Sequence, residues 1–175
     1  MAGIRPNSCY RHFEMPYTRK SKYKSKAFIK AVPVKKISKF EFGDLKASFN
    51  CQVDLITKDP MQVRDNSLEA ARTVVIRRLT ETGKNYRLTV RVYPHHVLRE
   101  NKMLTGAGAD RMQTGMQLSF GRAIGLAARI KANQPIFSVR VDKADAKLAR
   151  LALEGAVAKL PFKCAFVEKS YPIKG

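Results

Sequence analysis

Acidic residues, cysteines and long apolar runs are all scarce in this chain of 175 residues, and each shortage excludes something. Asp and Glu number 14 against 34 Lys and Arg, a net charge of +20. Self-repulsion of that size opposes compaction, which points to a polyanionic partner: nucleic acid first, an anionic membrane surface second. Charge that only solubilises the surface is the bland alternative. The three cysteines, Cys9, Cys51 and Cys164, are an odd number with no C-x-x-C pair. That argues against a disulfide framework and against a four-cysteine zinc site. No stretch approaches the roughly 20 consecutive apolar residues of a membrane helix, and the first residues lack the apolar region of a secretion signal. The expectation is a soluble protein of a reducing cytoplasm.

The constellations of catalysis are also missing. His95 and His96 are adjacent, so on an extended segment they point to opposite sides and cannot share one metal. His12 and Cys9 have finger-like spacing, but no second pair completes a tetrahedral set. Cys51 and Cys164 fall at apolar positions of alternating segments, where a small buried hydrophobe is the usual role. The stretch Gly106-Ala107-Gly108-Ala109-Asp110-Arg111 carries Arg111 where a dinucleotide fingerprint has its third glycine, and no Gly-Lys-Ser/Thr follows for a phosphate loop. No metal, no cofactor and no catalytic residue is expected.

What the chain does have is apolar material for a core, at 45% hydrophobic residues, and a length that suits one domain. Its charge is unevenly spread. Residues 1–40 hold eleven Lys or Arg against the single acid Glu14, half of the net charge in under a quarter of the sequence. Pro6, Pro16 and Pro33 interrupt this segment, and Tyr10, Phe13, Tyr17, Tyr23 and Phe28 are interleaved with its charges. Residues 1–45 read as an extended basic arm, because cations meet phosphates while aromatic rings stack on exposed bases.

Residues 46–175 read as a single α/β (α+β) domain. Phe49, Cys51, Val53 and Leu55 alternate with Asn50, Gln52 and Asp54, the pattern of a half-buried strand. Asn66-Ser67-Leu68-Glu69 has the form of a capping box, followed by Leu68, Ala71, Val75 and Leu79 at helical spacing and by Gly83 past the end. Leu88, Val90 and Val92 alternate with Arg87, Thr89 and Arg91 until Pro94, so one face of that strand is apolar and the other basic. A Gly-rich loop spans 101–125, and a loop of that length inside a compact domain tends to be functional. A strand pair is expected at 126–131 and 135–141, then a helix capped by Asp142 with Ala144, Leu148, Leu151 and Gly155 inward, then a last strand through Phe162, Cys164 and Phe166. This order predicts a two-layer sandwich, with two helices on one face of a mixed or antiparallel sheet and the other face free for a partner.

The run from Asn101-Lys102-Met103-Leu104-Thr105-Gly106 through Gly115-Met116, continuing to Phe120-Gly121-Arg122 and Ala128-Arg129-Ile130, resembles the signature of the archaeal and eukaryotic large-subunit ribosomal protein family L-ten-e, the counterpart of bacterial L-sixteen. Pro94-His95-His96-Val97-Leu98-Arg99, Ser67-Leu68-Glu69-Ala70-Ala71-Arg72, Cys9-Tyr10-Arg11 and Pro16-Tyr17-Thr18-Arg19 match in the same order, and the resemblance covers nearly the whole chain. It implies a structural protein that binds large-subunit rRNA near the central protuberance, beside the aminoacyl-tRNA path, with a loop directed toward the peptidyl transferase centre. The rRNA contacts would then fall on Arg5, Tyr10, Arg11, Tyr17, Arg19, Lys20, Lys22, Tyr23, Lys24, Lys26, Arg87, Arg91, Arg99, Arg122, Arg129 and Lys131. Lys102, Met103, Gly106, Gly108, Arg111 and Gln113 would face tRNA or the catalytic RNA. Implied partners are large-subunit rRNA, tRNA transiently and neighbouring ribosomal proteins, with no membrane and no homo-oligomer. One departure is Gln117, where members commonly have a basic residue after Gly-Met. Two rivals remain: an RNA-modifying enzyme, which would need a convergent acid, base or metal cluster, and a peripheral membrane protein, which would need a helix with a long apolar face.

Overall fold

The computed structural model describes residues 5–12, 25, 29, 31–101 and 121–171. Along them run β1 (Glu41–Gly43), β2 (Cys51–Thr57), β3 (Met61–Arg64), α1 (Asp65–Glu81), β4 (Arg87–Val90), β5 (His96–Glu100), β6 (Arg122–Ile130), β7 (Pro135–Val141), α2 (Ala146–Val157) and β8 (Cys164–Ser170). The strands form two antiparallel sheets, one of order β1-β4-β7-β2-β8 and one of order β3-β6-β5. The architecture is the expected α+β sandwich, with the strands divided between two sheets instead of gathered in one. The helices pack on each other, α2 over β2 and β7 and α1 over β3 and β6. One core therefore joins Val53, Leu55, Phe137 and Val139 of the large sheet, Leu68, Val75 and Leu79 of α1, Ala149 and Leu153 of α2, and Val63 and Ile130 of the small sheet.

Several expectations of local structure fail. Although β6 and β7 are consecutive and joined by a tight connector, they do not pair: β6 lies between β3 and β5, and β7 lies between β4 and β2. The connector turns through Asn133, with φ 58°, and the Asn133 amide donates to the Thr57 carbonyl at 2.9 Å, so the chain changes sheets there instead of folding back. The inner stripe of α2 is also rotated from its expected phase. Ala149, Ala152, Leu153 and Ala156 are buried, whereas Leu148 and Leu151 are exposed at 37% and 55%. Small residues on the inner stripe let α2 approach α1 closely, and Gly155 makes room for the Arg78 guanidinium, which donates to the Leu151 carbonyl at 2.7 Å.

α1 buries the expected Leu68, Ala71, Val75 and Leu79 and ends before Gly83 at φ +65°, a conformation that suits glycine. Its start differs, because the capping box does not form. The helix begins at Asp65, whose carboxylate accepts from the Asn66 amide at 2.8 Å and the Lys36 amide at 3.0 Å, while Glu69 pairs with Arg72. A carboxylate at this end also suits the helix dipole.

Candidate nucleic-acid interface

The outer face of the five-stranded sheet follows from strand alternation. β4 sends Leu88 and Val90 into the core and β7 sends Phe137, Val139 and Val141, so Arg87, Thr89, Ser138 and Arg140 face outward. Register then sets Arg87 opposite Arg140, Arg140 opposite Gln52, and Gln52 opposite Lys169, a polar row across four strands. The next row places Glu41, Thr89, Ser138 and Asp54 side by side.

Arginines directly opposite each other repel, so what holds the row is the set of groups between and below them. Arg140 Nε donates to Gln52 Oε1 at 3.0 Å, and Gln52 Nε2 donates to Asp54 Oδ1 at 2.7 Å. Arg91 Nε donates to Ser138 Oγ at 3.0 Å. Lys169 Nζ lies 3.2 Å from Asp54 Oδ2, and Arg87 Nη2 lies 3.2 Å from Glu41 Oε1. Gln52, Asp54 and Ser138 are consequently buried, so β2 is enclosed on both faces and is not the half-buried strand its alternation suggested. Two of the four cations are matched by carboxylates. Among the described residues, Arg91 and Arg140 hold only neutral hydrogen-bond partners, which fix each guanidinium in place and leave its charge for a ligand.

The predicted N-terminal residues are placed differently. Residues 5–12 include a 3-10 turn at Asn7–Tyr10 and lie on the three-stranded sheet. The Gln62 amide donates to the Arg11 carbonyl at 2.8 Å, and Gln62 Nε2 to the Tyr10 carbonyl at 2.9 Å. Arg64 reaches Asn7 Oδ1 at 2.6 Å and the Arg5 carbonyl at 2.8 Å. Glu100 completes the clamp, accepting from Arg5 Nε at 2.6 Å and from the Tyr10 hydroxyl at 3.2 Å. Burial and the Glu100 charge push the Tyr10 phenol up to about 12. Arg5 and Tyr10 thus make their described polar contacts within the chain. Arg11 is half-buried, and its Nε has no hydrogen-bond partner among the described residues.

Arg129 stands across β6 from Gln62, with its Nε 3.3 Å from Gln62 Oε1 and its Nη2 3.5 Å from His96 Nε2. Burial lowers the Arg129 pKa, and burial together with the Arg129 charge pushes His96 down to about 4. The His96 imidazole is therefore neutral near pH 7. Lys131 is exposed at the start of the connector to β7.

Arg99 and Arg122 sit where β5 and β6 approach residues 102–120. Arg99 Nη2 donates to the Gly121 carbonyl at 3.0 Å, and Arg122, exposed, pairs in register with Glu100. They line a cleft of about 480 Å³ whose other wall is apolar, with Ile29, Val32, Pro33 and Ala123. Gly121 has φ +91°, and a Cβ there would lie 2.5 Å from the Glu100 carbonyl group, so only glycine fits. Tyr17, Arg19, Lys20, Lys22, Tyr23, Lys24 and Lys26 of the arm, and Lys102, Met103, Gly106, Gly108, Arg111 and Gln113 of the loop, lie outside the described residues.

Sequence reasoning missed Arg140 and Lys169 as members of the basic face. Arg140 was legible, since it alternates with Val139 and Val141 just as Arg87 and Arg91 alternate with Leu88 and Val90. Lys169 was not, because only its position opposite Gln52 brings it to the row.

The ribosomal protein L16p/L10e family matches residues 14–167. The large ribosomal subunit protein uL16 of Metallosphaera sedula is 46% identical over 169 residues, spanning 94% of this chain and 93% of its own. The protein of the same name from Staphylothermus marinus is 44% identical over 174 residues, 98% of this chain and 95% of its own. That of Thermofilum pendens is 46% identical over 161 residues, 90% of this chain and 92% of its own. With a sandwich whose outer face carries fixed arginines, and with likeness of this extent, the chain belongs to the ribosomal protein L16p/L10e family.

Proposed function

We propose that this chain is a structural constituent of the large ribosomal subunit that binds large-subunit rRNA near the central protuberance and the aminoacyl-tRNA path. In this reading residues 102–116 are directed toward the peptidyl transferase centre and support tRNA positioning, and neighbouring large-subunit proteins are the protein partners. The family is one of ribosomal proteins, so no catalytic role is assigned. The observation that carries the reading is the outer sheet face, where Arg91 and Arg140 are held by Ser138 and Gln52 with no carboxylate partner among the described residues. Phosphate contacts position a protein on RNA in this way, through fixed cations on a rigid element. Arg11, Arg87, Arg99, Arg122 and Lys131 add further cations, and the basic residues of the N-terminal segment, Arg19, Lys20, Lys22, Lys24 and Lys26, extend the interface with Tyr17 and Tyr23. Arg5 and Tyr10, which tie residues 5–12 to Glu100, and Arg129, which lies against Gln62 and His96, belong to the same proposed interface on the three-stranded sheet.

The test is cosedimentation of the tagged chain with large subunits from a lysate. Comigration that is lost only at high salt supports the reading, and exclusion from the subunit fraction at low salt overturns it. For the loop, subunits reconstituted without residues 102–116 should assemble yet accommodate tRNA slowly. Accommodation and peptide-bond formation at the normal rate would remove the tRNA-positioning role.

A further inference from the structure

Beyond Arg91, exposure keeps alternating along the chain even though β4 ends at Val90. Val92 and Pro94 are buried, while Arg91, Tyr93 and His95 are exposed. The Arg91 amide donates to the Ile136 carbonyl at 2.8 Å, one bond past the last ladder pair, and the His95 amide then donates to the Tyr93 carbonyl at 3.0 Å, closing a three-residue turn about Pro94. The turn brings Tyr93 and His95 together at the surface, just past the strand that carries Arg87 and Arg91. Their rings touch, with centroids 4.3 Å apart at 45°. Tyr93 is also stacked with Phe40, at 5.3 Å and 23°, and Phe40 packs against the main core. Lys35 Nζ donates to the Tyr93 hydroxyl at 2.8 Å and lies 5.0 Å from the ring centroid.

This arrangement does not serve burial. Tyr93 remains 38% exposed, and His95 is exposed at the rim. It does serve stiffness, since Phe40 backs the tyrosine, Lys35 tethers its hydroxyl, and the buried Pro94 limits the backbone between the two outer rings. Rigid aromatic faces beside fixed cations are what an unstacked nucleobase binds, the ring taking the base and the cation the phosphate. Lys35, against the Tyr93 ring, supplies one such cation, and Arg91, two residues before Tyr93 in the chain, supplies a second.

We propose that Tyr93 and His95, backed by Phe40 and flanked by Lys35 and Arg91, form a stacking platform for an unpaired base of the bound RNA. The proposal rests on the rRNA-binding reading above and adds a site for single-stranded nucleotides to a face otherwise set out for phosphates. His95 contributes its ring, not a proton or a metal bond, so phenylalanine should replace it and alanine should not.

The test uses the full chain with two probes: a single-stranded RNA decamer carrying one 2-aminopurine, and an RNA hairpin whose bases are all paired apart from a closed tetraloop. Stacking of a base on an aromatic side chain contributes about 1–3 kcal/mol, which converts to a loss of roughly 5- to 150-fold when the ring is removed. His95→Ala should weaken decamer binding by an amount in that range, relieve 2-aminopurine quenching, and leave the salt dependence and hairpin affinity unchanged. His95→Phe should restore both affinity and quenching. Wild-type decamer affinity for His95→Ala overturns the platform, as does equal weakening of decamer and hairpin. A loss that His95→Phe fails to restore also overturns it. Failure of the wild-type chain to bind either RNA would instead sink the rRNA-binding reading itself.

Discussion

Replacing Arg91 and Arg140 by Gln tests the division of labour on the outer sheet face. Four cations stand there, but Arg87 faces Glu41 and Lys169 faces Asp54, each at 3.2 Å. Among the described residues, Arg91 and Arg140 are the two of these four whose charge no carboxylate matches. Each phosphate contact contributes about 0.7 (single strands) to 0.9 (duplex DNA) to the slope of log affinity against log salt. The double variant should therefore flatten the slope by about 1.4 to 1.8, and at 0.1 M salt each lost contact weakens binding by about five- to eightfold relative to 1 M. Lys169→Gln should change the slope little, because it removes one cation and exposes the Asp54 carboxylate it had matched.

The assay is a salt titration of binding to a large-subunit rRNA fragment. Stability needs a parallel check, since removing Arg140 leaves buried Gln52 Oε1 without its donor, a loss of about 1–3 kcal/mol. Thermal unfolding will show whether each variant is folded at the assay temperature. A folded double variant with the wild-type slope would refute the reasoning, and so would a Lys169→Gln variant that flattens the slope as much as the arginine changes.

Three further outcomes are expected. The Tyr10 phenol is raised from 10.0 to about 12, so above pH 10 the unfolded chain loses this proton first and stability falls until about pH 12; denaturant titrations should show Tyr10→Phe shedding that part of the decline, and an unchanged decline refutes the Glu100 clamp. His96 is lowered from 6.5 to about 4, so its contribution is present above pH 6.5 and lost as pH falls toward 4; its imidazole proton resonances should titrate near pH 4, and a midpoint above 6 would contradict the contact with Arg129. On α2, Ala149→Leu should destabilise by about 1–3 kcal/mol through overpacking, whereas Leu151→Gln should change stability by no more than about 0.5 kcal/mol. Urea unfolding separates these, and the reverse order would restore the helix phase expected from sequence.

Elements whose large side chains and burial agree were legible. α1 shows Leu68, Val75 and Leu79 at helical spacing, the alternation of β4 revealed both its core and its basic face, and that of β7 revealed its core. α2 misled because its buried stripe is mostly alanine while Leu148 and Leu151 face solvent, so side-chain size pointed to the wrong face. β1 and β3, at three and four residues, are too short for alternation to register. The β6–β7 connector had the length of a hairpin turn, and the change of sheet depends on long-range pairing that no local pattern carries. The capping box failed for a related reason: Asp65 answers to Lys36, 29 residues away, and Glu69 to Arg72. In the site, charge positions were readable but charge balance was not, because Glu41 and Asp54 neutralise particular cations only through strand register.

The close passage of Gly121 against the Glu100 carbonyl has a consequence for how freely this protein can vary. β5 and β6, the strands on either side of residues 102–120 in the sequence, are paired in register from His96 to Glu100, and Gly121 lies against the end of that ladder. With the two strands already paired, ring closure between them changes by just about 0.6 kcal/mol for each doubling of the intervening length. Loop-closure entropy therefore sets only a weak limit on that length. Exchanging that stretch for one of different length should leave the sandwich and its outer arginine face folded.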